Sequence, residues 1–60
     1  MLVREYTPAI VTIGLDVYTG DLVYILWKGR DVTNAASILS GQVAMAREAC
    51  RAQGFPCGNN

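Results

Sequence analysis

No histidine occurs in the chain, and cysteine occurs only twice, at Cys50 and Cys57. Without an imidazole, Ser37 and Ser40 lack the neighbouring base that turns a hydroxyl into a nucleophile, so both read as small helix residues. The same shortage leaves a zinc site within one chain dependent on carboxylates or on a second chain, and neither a metal nor any other cofactor is expected. The carboxylates of Glu5, Asp16, Asp21, Asp31 and Glu48 fall at turn, cap and helix positions and form no constellation that spacing alone predicts. With no C-x-x-C spacing, Cys50 is expected to act as a small buried hydrophobe and Cys57 as a thiol in a loose tail. The two can approach each other around a chain reversal, and their redox state stays open. Catalysis is therefore not expected.

An excess of charge is missing too. Five basic and five acidic residues cancel, which removes the electrostatic footprint of a protein that holds nucleic acid mainly through its phosphates. Arg4 and Glu5 interrupt the apolar core that a secretory signal would need, so the expected compartment is the cytoplasm. The apolar stretches are broken by Asp16, Asp21, Gln42, Arg47, Glu48 and Arg51, and no membrane-spanning segment is expected.

What the chain has is apolar surface. Hydrophobic residues make up 52% of it and charged ones 17%, below the typical charged share of about 25%, which argues against disorder and for exposed apolar patches. A chain of 60 residues buries only about 60% of its unfolded surface, so help from a second copy or a partner is expected.

The segment from Ala9 to Lys28 is rich in Val, Ile, Leu and Tyr around "YTGD", which is a β-hairpin signal. A three-residue loop with Gly20 in the left-handed conformation pairs Val17 with Asp21 and gathers Val11, Ile13, Leu15, Val17, Val23, Ile25 and Trp27 on one face. The same register lays Tyr24 across Gly14. On the outer face Leu22, Tyr24 and Leu26 lack cover. Leu2 to Tyr6 is a possible third strand, and Lys28-Gly29-Arg30 leaves the sheet.

Asp31 or Thr33 is placed to cap a helix that runs to about Gln53, with Gly54 as its C-terminal stop. Val32, Ala36, Leu39, Val43, Ala46 and Cys50 form the stripe expected to lie on the hairpin. Beside it, Ile38, Gln42, Met45 and Ala49 form a second, unpartnered stripe. Residues 55–60 are expected to be a flexible tail. The fold class is thus α+β in ββα order, one domain, completed by homodimerisation through hairpin edges or the second helix stripe.

"TIGLDVYTG" also resembles the first strand and turn of RNase H-like nucleases and actin-like ATPases. That resemblance would make Asp16 a metal-binding aspartate and the chain a fragment of such a site. It covers about a dozen residues and departs at Tyr18, where those families place glycine, while those folds need further strands and acidic ligands. The alternative is an aspartate that only flanks a hairpin.

Among functions, the surplus apolar faces favour a non-enzymatic protein-interaction module, a homodimer that binds and inhibits or modulates a larger protein. It is similar in general character to small phage or mobile-element regulators. Its expected partner-binding residues are Leu22, Tyr24, Leu26, Ile38, Gln42 and Met45. The alternative is a dimeric DNA-binding regulator, with Lys28 and Arg30 beside a helix N-terminus as the nucleic-acid contacts.

Overall fold

The computed structural model describes residues 1–58 as a four-stranded antiparallel sheet followed by one C-terminal helix, an α+β fold. The strands β1 (Val3–Tyr6), β2 (Thr12–Asp16), β3 (Leu22–Trp27) and β4 (Arg30–Asp31) lie side by side in chain order. The segment Leu2 to Tyr6 does join the sheet: Val3 faces Asp16 and Tyr6 faces Ile13. The expected hairpin is β2–β3, and its register matches where it matters most for packing, with Ile13 opposite Ile25 and Gly14 opposite Tyr24.

Nearer the turn the register changes. Leu15 pairs with Leu22, so one extra residue, Val23, is accommodated in β3 as a bulge. The bulge reverses two side chains relative to strict alternation: Leu22 packs against the core, and Val23 is exposed. The turn itself spans Val17 to Gly20, closed by the Gly20 N–H donating to the Asp16 carbonyl at 2.7 Å. Gly20 takes φ 75°, the left-handed conformation expected of it.

A strand that periodicity does not announce is β4. Lys28 and Gly29, with φ 51° and 78°, form the two-residue turn in which both central residues are left-handed, the geometry that matches sheet twist. The chain therefore does not leave the sheet at Lys28 but folds back, pairing Trp27 with Arg30. Asp31 then serves a different end: its Oδ1 accepts from the Thr33 N–H at 2.9 Å. It opens a 3-10 turn, Thr33–Ala35, rather than an α-helix. The Thr33 hydroxyl in turn accepts from the Ile25 N–H at 2.9 Å, continuing the ladder by side chain where β4 ends.

The α-helix, α1, spans Ser40–Ala52. Asn34 and Ser37 favour local turns over helix, which accounts for its start so far beyond Asp31. The inward stripe nonetheless has the expected membership. Val43, Ala46 and Cys50 are buried, while Val32, Ala36 and Leu39 pack against the core from the preceding turns. Gly54, at φ 98°, reverses the chain after α1, and the Phe55 N–H returns to the Cys50 carbonyl at 3.4 Å. Among the described residues no helix is long and apolar enough to cross a membrane.

The expected tail is instead docked as far as Gly58. Cys57 is fully buried, its N–H donates to the Val17 carbonyl at 2.8 Å, and the Gly58 N–H donates to the Tyr18 carbonyl at 3.2 Å. The remainder of that expected tail, residues 59 and 60, lies outside the described residues. The chain exposes 3823 Å², matching the roughly 3,800 Å² that scaling gives for a folded monomer of 6.5 kDa.

Candidate functional site

Asp16 belongs to the turn. Its Oδ1 accepts from the backbone N–H groups of Tyr18 at 2.9 Å and Thr19 at 3.4 Å, an Asx turn that organises the β2–β3 connection. The side chain is buried rather than half-exposed. Among the described residues no three His, Cys, Asp or Glu side chains come together in a metal-binding group. The carboxylate thus organises the turn of the hairpin.

The helix leaves one end of the sheet less covered, because α1 packs chiefly on β1 and β2 while the 3-10 turn Thr33–Ala35 packs on β3. Between the turns of residues 33–39 and the end of β3 lies an apolar groove of about 210 Å³. Its walls are Ile10, Trp27, Val32, Ala35, Ile38 and Leu39, with Val11 at the base. Three of these residues stand out of the surface: Ile10 is 70% exposed, Ile38 84% and Trp27 39%. The lining contains no charged side chain. Lys28 flanks it, its Nζ lying over the Trp27 ring 5.0 Å from the centroid.

The six residues expected to bind a partner are not brought together. Ile38 alone lines the groove. Leu22 is turned inward by the bulge, where it borders a second hollow with Ser40, Val43 and Arg47. Tyr24 and Leu26 stand half-buried on the opposite face of the sheet. There the Tyr24 ring covers Gly14 and its hydroxyl donates to the Glu5 carboxylate at 2.5 Å. That hydrogen bond, with burial adding to it, raises the Tyr24 pKa. Gln42 and Met45 share a side of α1, Met45 exposed and Gln42 half-buried. The Gln42 Oε1 has no hydrogen-bond partner among the described residues.

Lys28 lies in the β3–β4 turn and Arg30 follows it, and both are exposed. The helix N-terminus expected beside them lies at Ser40 instead, and a strand and a 3-10 turn take its place. The Asp31 carboxyl, held below its usual range by hydrogen bonds from Thr33, is a negative charge close to the same turn.

Ile10 and Trp27 were not expected at the site. Alternation puts Trp27 on the core-facing side, and there it is, but at a strand end beyond the reach of the helix. What the sequence does carry is Asn34 and Ser37, which favour local turns over helix, and α1 begins only at Ser40, leaving the groove uncovered. Comparison of the chain with protein-family models, curated proteins and solved structures gives no match, so function must be argued from these residues themselves.

Proposed function

We propose that the chain is a non-enzymatic protein-interaction module that uses the groove around Trp27 and Ile38 to hold an apolar segment of a larger protein, inhibiting or modulating it. The observation that carries this reading is the concentration of Ile10, Trp27 and Ile38, three large exposed apolar side chains, around one uncharged hollow. Exposing them costs free energy at about 25 cal/mol per Å², which a partner recovers by covering them. Contiguous apolar patches rimmed by polar groups mark such contacts. Trp is also among the residues most often found at the energetic centre of an interface.

The test places a photo-crosslinking amino acid at Ile38 and, as a control, at Val23 on a different part of the surface. The expected result is one discrete adduct from position 38 that disappears when Trp27→Ala is added, with the circular dichroism of the variant unchanged. An adduct of twice the chain mass would identify the partner as a second copy. No adduct, or equal labelling from both positions, would remove the groove from consideration as a binding site.

A further inference from the structure

We propose that Cys50 and Cys57 join in an intrachain disulfide that fastens the C-terminal segment to α1 and, through it, to the β2–β3 turn. Both cysteines are fully buried in the same core cluster and are free in the structure. The chain between them is folded so as to return. Gly54 reverses it, Phe55 bonds back to the Cys50 carbonyl, and the Arg51 guanidinium donates to the Cys57 carbonyl at 3.3 Å.

Cys57 itself has φ 45°, a left-handed conformation that disfavours any side chain and that glycine adopts freely. Packing around it is equally close: a Cβ on Gly20 would lie 2.5 Å from the Cys57 carbonyl oxygen. A strained, crowded position that keeps a thiol buried in the same core cluster as Cys50 is one where the side chain has a use. The neighbourhood shows in its acidity, since burial first and hydrogen bonding to Cys50 second push the Cys57 thiol up to about 11.

The bond forms by exchange with a small disulfide such as oxidised glutathione. One protein thiolate attacks it, making a mixed disulfide and releasing a glutathione thiolate. The second protein thiolate then attacks the protein sulfur and displaces the other glutathione. Two protein thiols are oxidised, one glutathione disulfide is reduced to two thiols, and the two protein protons pass to the leaving thiolates. Because the Cys57 thiol is buried and its segment is bonded to the β2–β3 turn, exchange proceeds when residues 55–58 open, breaking the bonds to Val17 and Tyr18. This inference does not depend on the interaction reading.

The experiment equilibrates the whole wild-type chain in glutathione redox buffers, with and without urea, quenches with acid and determines the mass. The expected product under native conditions is a monomer about 2 Da lighter than the dithiol. Trypsin, cutting after Arg47 and Arg51, puts Cys50 and Cys57 on separate peptides, so the linked pair is read directly. The bond should withstand reduced glutathione better when the chain is folded, by on the order of 50-fold in the exchange constant, the loop-closure expectation for so short a span. Equal constants in the folded and unfolded chain would overturn the proposal. So would a glutathione adduct or an interchain dimer as the native end product.

Discussion

Replacing Gly14 by alanine reverses the sign that strand propensity assigns to the change. In an ordinary strand interior, Gly→Ala is stabilising by about 0.5–1 kcal/mol, because glycine loses more freedom on folding. Here an added Cβ would lie within 2.8 Å of three ring carbons of Tyr24, closer than atoms can approach, so the ring must swing out. Its bond to Glu5 lies at the exposed surface, so it is free to do so. The losses are then the hydrogen bond to Glu5, worth about 1 kcal/mol, and roughly 40 Å² of ring contact, worth about 1 kcal/mol at 25 cal/mol per Å². Net of the glycine effect, Gly14→Ala should destabilise by about 1 kcal/mol. With a urea slope near 1 kcal/mol per M for so small a protein, the midpoint falls by about 1 M. Fluorescence of Trp27, the single tryptophan, and circular dichroism should report the same shift. In a Tyr24→Ala background the same substitution should instead raise the midpoint. A higher midpoint for Gly14→Ala in the wild-type background, or an equal effect in both, would refute the account of Tyr24 as a cover for Gly14.

Two further predictions concern the bulge and the buried hydroxyl and thiol. Leu22→Ala should cost about 2 kcal/mol, at the lower end for core truncation. Val23→Ala should change stability by less than about 0.5 kcal/mol; the reverse order in urea unfolding would mean that the hairpin keeps strict alternation. Burial raises Tyr6 from 10.0 to about 12 and Cys57 from 9.0 to about 11, so the folded chain keeps protons that the unfolded chain gives up. The stability contributed by these two groups is complete below pH 9 and is lost as pH rises from there to about 12. Melting temperatures of the reduced protein should fall over that interval, and Tyr6→Phe should flatten its upper part. A melting temperature independent of pH from 9 to 12 would count against both shifts.

Much of the core was legible because a hairpin with one buried face reveals itself by alternation. Val11, Ile13, Leu15, Val17 and Ile25 are buried as expected, and Gly14 opposite Tyr24 set the register. The bulge was not legible, since Leu22 and Val23 are both apolar and either fits the inward position. Strand β4 is two residues long, too short for any period, and its only herald is the dipeptide Lys28-Gly29. The helix stripe was correct in membership while its first half turned out not to be helix, because 3-10 and irregular turns can present Val32, Ala36 and Leu39 inward at similar spacing. The groove was least legible. It arises from where the helix fails to reach, a property of relative placement that no single segment encodes.

The two outer strands of the sheet carry a consequence for how the molecule behaves at high concentration. At one border, β4 offers only two residues for a neighbour to pair with. At the other, β1 is longer, and two copies meeting there with the same faces aligned must pair residues whose numbers sum to an even value. The two arrangements that keep most of β1 paired set Arg4 against Arg4 or Glu5 against Glu5, and like charges directly opposite destabilise a ladder. The β4 border covers only the last two residues of β3, and the β1 border repels its own image. Self-pairing through β1 is thereby disfavoured, which turns contacts between copies toward other parts of the surface.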